Sequence, residues 1–287
     1  MTFAQSTARS GRVAGLLAAL IGALLVIGLL SPPGAGAAPS ERTLKVATYN
    51  IHHAQGADGL LDLERVARVL EDSGAEVIAL QEVDRFWGER SGYVDQAEWL
   101  GRRLGMDMVY GKNLQADPAA PGLPDAQYGT AILSKYPIRD WSNTALPKFP
   151  AGEQRGLLQA DIKVRGVSVR VLGTHLQHNN SDERLAQIDA ILGITSADPR
   201  PTVLLGDMNA EPDSAEHAKL STEYTDAWQA VGIGPGYTFD ADDPKGRIDY
   251  VFTRGGATPR AATVPSTLAS DHLPVVVDLV LPHPSGK

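Results

Sequence analysis

Two polar side chains follow a short apolar run in the last third of the chain. Residues Val203–Leu205 predict a buried strand that ends at Gly206. Asp207 and Asn209 come directly after it, and residues two apart in an extended chain point the same way. A carboxylate that accepts a proton beside a neutral amide that donates a hydrogen bond suits the attack of water on a phosphate ester. A simple turn is the alternative, because Gly, Asp and Asn all favour turns.

Other polar groups stand at the ends of predicted strands, which weakens the turn interpretation. Side chains that bind or react are usually carried by loops at the ends of rigid elements. Six clusters with this placement therefore predict one polar pocket at a rim of the sheets. Besides Asp207 and Asn209, they are Asn50 at the end of Leu44–Asn50, Gln81-Glu82 after Val77–Leu80, His175 after Val167–Leu172, Asp249 in Ile248–Phe252, and Asp271-His272 before Val275–Leu281.

The elements that position these groups are more often strands than helices. Hairpins alternate with strand–helix–strand units along the chain. This mixture predicts an α+β domain in which two sheets pack together with helices outside. No shift in composition indicates a second domain. The predicted helices are Leu61–Leu70, Gln96–Leu104 and Ser181–Ile194, the last with Ser181 as its N-cap.

The N-terminal residues are typical of a secretory signal peptide. Arg9 and Arg12 precede the apolar stretch Val13–Leu30, and small residues follow as far as Ala38. This order predicts cleavage near Ala37 or Ala38 and a secreted product. An uncleaved anchor with the catalytic domain outside is the alternative, because the apolar stretch could nearly span a bilayer. We therefore expect a signal peptide over residues 1–38, a tether over 39–43 and one domain over 44–287.

Composition narrows the range of partners. The chain has no cysteine, so its core must stabilise it without disulfides. Its net charge is −8, and residues 1–38 contain two arginines and no acidic residue, which leaves −10 on residues 39–287. This charge fits a DNA duplex poorly, because duplexes are bound mainly through Lys and Arg. It suits a protein that binds a divalent cation, or a small or neutral-headed substrate.

Six motifs, taken together and in order, resemble the endonuclease/exonuclease/phosphatase superfamily. This group includes DNase I-like nucleases, abasic-site endonucleases, inositol-polyphosphate 5-phosphatases and neutral sphingomyelinases. The resemblance extends from about Leu44 to Leu281. It implies a DNase I-like, four-layer α/β/β/α sandwich of two mostly antiparallel sheets, with divalent-metal-dependent phosphoesterase activity. The motifs are Tyr49-Asn50-Ile51, Gln81-Glu82-Val83, Gly173-Thr174-His175-Leu176, Gly206-Asp207-Met208-Asn209, Arg247-Ile248-Asp249-Tyr250 and Ser270-Asp271-His272.

The resemblance also implies a metal site. Glu82 matches the metal-binding glutamate, Asn50 matches the asparagine beside it, and Asp271 lies where some members place a second metal contact. A lone carboxylate with several waters is typical of Mg²⁺, and Mn²⁺ or Ca²⁺ are the alternatives. We interpret His52, His53 and His178 as shaping or substrate-side residues, because their spacing specifies no zinc site.

The remaining matched side chains imply the chemistry of hydrolysis. Asp207 would orient or deprotonate the attacking water, and Asn209 would donate to the phosphoryl oxygens. His272, held by Asp249, would stabilise charge on the phosphate. His175 would act as an acid or a phosphate donor. Arg155 would contact the substrate phosphate, because Arg binds phosphate in bidentate fashion.

The implied reaction is hydrolysis of a phosphodiester by in-line attack of water. The substrate is open between a phospholipid, another small phosphodiester and nucleic acid, so a secreted nuclease is the main alternative. Contact with a membrane surface is left open, and no obligate protein partner is inferred. A non-catalytic binding protein on the same fold is a weaker alternative, because all the matched groups are present.

Overall fold

The computed structural model describes residues 41–283, which contain two six-stranded sheets and five α-helices. The strands are β1 (Arg42–Asn50), β2 (Val77–Arg85), β3 (Asp107–Ala116), β4 (Ala126–Ser134), β5 (Ile138–Ala145), β6 (Gly156–Val164), β7 (Val167–His175), β8 (Thr202–Asp207), β9 (Thr225–Asp226), β10 (Asp249–Arg254), β11 (Thr258–Thr263) and β12 (Val275–Leu281). The helices are α1 (Leu63–Ser73), α2 (Gln96–Leu104), α3 (Ser181–Thr195), α4 (Ala215–Leu220) and α5 (Ala227–Val231).

Each sheet has one parallel strand pair within an otherwise antiparallel arrangement. The strand order is β11-β12-β1-β2-β4-β3 in the first sheet and β5-β6-β7-β8-β10-β9 in the second. The parallel pairs are β1–β2 and β7–β8. The predicted α+β class with two mostly antiparallel sheets is therefore confirmed.

Apolar side chains pack between the layers of a four-layer sandwich. Alternate residues of the central strands point inwards between the sheets, and Val46 and Val77 of the first sheet share this core with Val171 and Val203 of the second. The opposite face of the first sheet packs against α1 and α2, and that of the second packs against α3. The two sheets are thereby held at fixed positions, which matters because both of them contribute to the polar rim described below.

Short-range sequence signals set the helix ends. Gly105 adopts a left-handed conformation with φ 63° directly after α2, as is typical of a helix C-terminus. At α3, Asn180 accepts a hydrogen bond from the backbone N–H of Glu183 at 3.1 Å. Asn180 is therefore the N-cap, and the prediction of Ser181 was wrong by one residue, because Asn caps a helix as well as Ser does.

The predicted signal peptide, residues 1–38, lies outside the described residues, as do residues 39 and 40 of the predicted tether. Arg42 and Thr43, assigned to the tether, already belong to β1 and pair with Leu281 and Val280. Between residues 41 and 283, no helix is both long and apolar enough to cross a membrane.

Gly206 allows the central strands of the second sheet to approach each other closely. A Cβ atom added at this position would lie 2.2 Å from the carbonyl oxygen of Thr174. We expect Gly206→Ala to lower the free energy of unfolding by about 1–3 kcal/mol, because β8 would have to move away from β7. Denaturant unfolding would measure this.

Gly193 offers a matched control for that substitution. It lies in α3, and an added Cβ there meets nothing within 4 Å. Gly193→Ala should stabilise the protein slightly, since alanine favours the helix. Equal stability of the Gly206→Ala variant and the wild type would show that the strand contact is not tight.

Candidate functional site

A polar cavity of about 310 Å³ opens at the ends of the central strands. Of the nine side chains that the sequence predicts for the site, seven line this cavity, while Asn50 and Asp249 are buried beside it. The structure therefore brings all the predicted groups to one rim of the sandwich. The lining residues are Glu82, Tyr128, Glu153, Arg155, His175, His178, Asp207, Asn209, Phe239, Ile248, Asp271 and His272.

Strand register explains why chain-distant residues meet here. Asp207, the last residue of β8, pairs with His175 at the end of parallel β7 and with Asp249 at the start of antiparallel β10. In the first sheet, Asn50 at the end of β1 pairs with Gln81 of β2. Because paired residues of neighbouring strands project on the same face, the register alone places His175, Asp207 and Asp249 side by side.

Each carboxylate oxygen of Asp207 accepts a hydrogen bond. One carboxylate oxygen, Oδ1, accepts from the backbone N–H of Asn209 at 2.9 Å, and Oδ2 accepts from Asn50 Nδ2 at 3.1 Å. The nearest atom of His175, Nε2, lies 3.5 Å from Oδ2. Burial and the charge of the neighbouring Asp249 raise the pKa of Asp207 to about 7. A carboxylate with this pKa is a competent base near neutral pH.

Asp249 holds His272 in one orientation. The Oδ2 atom of Asp249 lies 2.8 Å from His272 Nδ1, and both side chains are buried. Burial alone would lower the pKa of His272, but the charge of Asp249 and this hydrogen bond raise it to about 10. His272 is therefore a cation at neutral pH, and its Nε2 lies 3.7 Å from Asp207 Oδ2.

A β-bulge presents Glu82 to the cavity. The pairing between β2 and β4 shifts between Leu80 and Val83, and Glu82 adopts a φ of 56°, which is uncommon for a residue other than glycine. Bulges re-aim a side chain at the edge of a site. The predicted strand ended before Glu82, whereas β2 continues through it to Arg85.

Asn50 links the carboxylates of the two sheets. Its Nδ2 donates to Glu82 Oε1 at 3.0 Å as well as to Asp207, while its Oδ1 accepts from the backbone N–H of His52 at 3.1 Å. The resemblance implies that Asn50 belongs to the metal site, and this role stays a prediction. In the structure its oxygen accepts from the backbone, and its amide nitrogen holds the two carboxylates in place.

His175 is held as a neutral hydrogen-bond donor. Arg155 Nη1 lies 3.0 Å from His175 Nδ1, and because a guanidinium can only donate, Nδ1 is the acceptor and Nε2 carries the proton. Burial and the charge of Arg155 lower the pKa of His175 well below its usual value. Of the two roles implied for His175, this arrangement favours a donor over an acid.

Arg155 reaches the cavity from behind His175. It is only 3% exposed, and its Nη1 lies 2.9 Å from Glu153 Oε1. Its charge is therefore already shared with Glu153. Glu153 is not predicted from the sequence, because a single acidic residue in an irregular loop carries no pattern that indicates a role.

Asn209 and Asp271 both line the cavity. Asn209 has a φ of 49°, and its Nδ2 donates to the carbonyl oxygen of Leu176 at 3.1 Å. This bond fixes the orientation of the amide. Asp271 precedes His272, and its Oδ1 accepts from Ser270 Oγ at 3.2 Å. Phe239, also missed from the sequence, packs its ring 4.8 Å from that of His272.

The oxygens available at the rim fit a divalent cation. Glu82 and Asp271 are partly exposed to the cavity, and among the described residues Glu82 Oε2 and Asp271 Oδ2 have no hydrogen-bond partner. Carboxylate oxygens are the ligands that Mg²⁺ prefers. Deeper in the site, ligand atoms of Asp207, Asp249 and His272 lie within 4.8 Å of one another, an arrangement that could also hold a metal ion.

Comparisons with known proteins agree with this architecture. Protein YbhP of Escherichia coli K12 is 24% identical over 258 residues, which cover 83% of this chain and 97% of that protein. The crystal structure of an endonuclease/exonuclease/phosphatase from Beutenbergia cavernae matches with a TM-score of 0.72 and 29% identity, over 84% of this chain and 72% of the other. The structure of a mannosyl-6-phosphatase from Bacteroides thetaiotaomicron matches with a TM-score of 0.67, over 83% of this chain and all of the other. At 19% identity, this match shows a shared fold alone.

The family comparison covers the same segment as the site. A model described as the endonuclease/exonuclease/phosphatase family matches residues 47–272, from β1 to the histidine paired with Asp249. This range includes every side chain placed at the rim above. On this match and the shared four-layer fold, the chain belongs to the endonuclease/exonuclease/phosphatase family of phosphoester hydrolases.

Proposed function

We propose that this hydrolase is a metal-dependent phosphodiesterase that acts on a small phosphodiester. One observation carries the proposal. The buried carboxylate of Asp207, whose pKa is raised to about 7, lies between the neutral donor His175 and the cation of the Asp249–His272 pair. A base beside a fixed positive charge is what the attack of water on a phosphate requires.

Different residues of the cavity act in different steps of the reaction. Asp207 takes a proton from water as the water oxygen bonds to phosphorus and the opposite ester bond breaks. The leaving oxygen departs with the bonding electron pair and takes a proton from solvent. His272 and the amide of Asn209 stabilise the negative charge that develops on the phosphoryl oxygens. Asn50 keeps Asp207 in place throughout, because its amide bonds the carboxylate that reacts.

A divalent cation would complete the site. Glu82 and Asp271 would hold it, and it would neutralise charge on the phosphate and on the leaving oxygen. We expect EDTA to abolish hydrolysis and Mg²⁺ or Mn²⁺ to restore it. Hydrolysis that persists at full rate after EDTA treatment and dialysis would contradict the metal requirement.

Charge and cavity size favour a small substrate. The domain carries an excess of negative charge, and the cavity of about 310 Å³ could take a phosphodiester head group and the first atoms on either side. A phospholipid head group meets both conditions. A nuclease is the alternative, for which an extended basic strip would be needed to bind the DNA backbone.

A panel of substrates tests the proposal. The purified protein would be assayed with Mg²⁺ on bis-p-nitrophenyl phosphate, p-nitrophenyl phosphate, sphingomyelin, a phosphoinositide and plasmid DNA. We expect hydrolysis of the diesters, with little change in rate between 50 and 200 mM salt. Hydrolysis of DNA that falls steeply over this range would favour the nuclease. If the protein hydrolyses none of these substrates, the result would favour a non-catalytic binding protein.

The N-terminal sequence supports a proposal about location. We propose that the chain is exported, on the basis of the charged start, apolar stretch and small-residue end of residues 1–38. Expression of the full chain, followed by fractionation and N-terminal sequencing, would test this. An exported product that begins near residue 39 supports cleavage, and an intact chain in the membrane fraction supports the anchor.

The pH profile of kcat/KM should be bell-shaped. Asp207 must be deprotonated to act as a base, so activity should rise as the pH passes about 7. His272 must be protonated to stabilise charge, so activity should fall as the pH approaches about 10. Initial rates on bis-p-nitrophenyl phosphate at constant ionic strength would measure both limbs. A profile that is flat between pH 6 and 10 would contradict this assignment.

A further inference from the structure

A second group of possible metal ligands lies beside the hydrolytic residues. Ligand atoms of His52, His53 and Glu82 all lie within 4.8 Å of one another. Adjacent side chains normally diverge, but here the turn after β1 is left-handed, with φ values of 43° at His52 and His53 and 67° at Ala54. This conformation brings two neighbouring imidazoles to the same place, which the spacing of the sequence did not indicate.

His53 has a buried nitrogen with a free lone pair. Its side chain is 6% exposed, and its Nε2 lies 3.2 Å from Gln55 Oε1. Because an amide oxygen can only accept, Nε2 carries the proton and Nδ1 does not. Among the described residues, Nδ1 of His53 is buried and has no hydrogen-bond partner. A metal-binding histidine usually donates a hydrogen bond from one ring nitrogen and binds the metal through the other, unprotonated nitrogen.

His52 places a second nitrogen near a carboxylate. Its Nδ1 is also without a hydrogen-bond partner within residues 41–283, and it lies 3.6 Å from Asp271 Oδ1. This distance is too long for a hydrogen bond. Among the described residues, this nitrogen of His52 is therefore not engaged in a hydrogen bond, while the side chain lies within ligand distance of His53 and Glu82.

The charges around this group favour a cation. Glu82 and Asp271 contribute two carboxylates, and the nearby Arg90 is bound to the buried Asp84 by two hydrogen bonds of 2.9 and 2.8 Å. The charge of Arg90 is thus largely compensated. A positive ion between the two imidazoles would meet the carboxylate of Glu82 directly, with Asp271 beside His52.

We propose that His52, His53 and Glu82 form a binding site for a divalent transition-metal ion such as Zn²⁺ or Co²⁺. Imidazole nitrogen binds these ions in preference to Mg²⁺, which takes oxygen ligands. Gln55 is the positioning residue, because it holds the proton on the far nitrogen of His53. The site shares Glu82 with the proposed hydrolytic site, but its occupancy does not depend on the reaction and is measured by binding.

The test is metal binding by the full chain, purified without a histidine tag and stripped with EDTA. Calorimetric titration with Zn²⁺, and visible absorption with Co²⁺, would be compared between the wild type and His53→Leu. We expect the wild type to bind one equivalent of either ion in the presence of excess Mg²⁺. His53→Leu should weaken binding at least tenfold. Equal binding by a folded His53→Leu protein would overturn the proposal.

Gln55 and His178 supply the matched variants. Gln55→Leu removes the acceptor and should weaken binding about 10- to 100-fold, whereas Gln55→Glu, which can only accept, should retain or tighten it. His178→Gln changes a histidine at the neighbouring cavity that is outside the proposed ligand set, so it should bind as the wild type does. If His53→Leu does not fold, the Gln55 pair decides, and no difference between the two would overturn the proposal. Hydrolysis measured with Mg²⁺ reports separately on the proposed function.

Discussion

Replacing Asp207 with asparagine should lower kcat/KM for the phosphodiester by about 10²- to 10⁴-fold, the contribution that a general base commonly makes. Asparagine has nearly the same shape, and its single oxygen can still accept from the backbone N–H of Asn209, so the fold should persist although the bond from Asn50 is lost. It cannot take a proton from water. Steady-state kinetics on bis-p-nitrophenyl phosphate, with unfolding followed by circular dichroism, would measure both properties.

Asp213 provides the control for this substitution. It lies in the loop that follows β8 and is exposed, so Asp213→Asn makes the same change of charge in the same segment without touching the cavity. We expect its kcat/KM to equal that of the wild type. Near-normal turnover by a folded Asp207→Asn protein would mean that another group activates the water.

Replacing Asp249 with asparagine should lower kcat/KM by about 10²- to 10³-fold, in the range seen when a single charge-stabilising donor is removed. The pKa of His272 would then fall from about 10 towards its usual value near 6.5, because Asp249 makes the largest of the contributions that oppose burial, ahead of Asp207 and Asp271. The pKa of Asp207 would also fall, since the charge of Asp249 contributes to raising it. The whole bell-shaped profile should move to lower pH.

A double substitution distinguishes this pairing from a structural effect. If Asp249 acts through His272, then adding His272→Gln to Asp249→Asn should cause little further loss, because the two residues form one unit. Additive losses would show that they act independently. An unchanged alkaline limb in Asp249→Asn would show that His272 is not the group that titrates there.

The sequence supports much of the fold because its strongest patterns are local. The apolar run before Asp207 and the capped helix that ends at Gly105 are specified by neighbouring residues, and both occur as predicted. Three strands that the sequence does not predict, β3, β5 and β11, lie at sheet edges. Many of their residues are exposed, so they show no clear alternation of apolar and polar side chains.

The sequence predicts which residues form the candidate site, but it does not predict the hydrogen bonds between them. Asp249 stands out because a carboxylate inside an apolar strand needs a partner, and His272 proves to be that partner at 2.8 Å. By contrast, the orientation of Asn50 depends on the backbone of His52, and the position of Glu82 depends on a bulge. Both are set by contacts between distant parts of the chain, and the same is true of the approach of His53 to Glu82.

The hydrogen bond from Asn50 to Asp207 joins a residue of the first sheet to a residue of the second, and His272, in the loop that leads into β12 of the first sheet, pairs with Asp249 of the second. Neither half of the sandwich can therefore form the catalytic geometry alone. Any slip of one sheet against the other should reduce turnover before it causes global unfolding. Cavity-creating substitutions deep in the inter-sheet core, far from the rim, should thus behave as catalytic mutations, and enzymatic activity should be a more sensitive gauge of sheet alignment than spectroscopy.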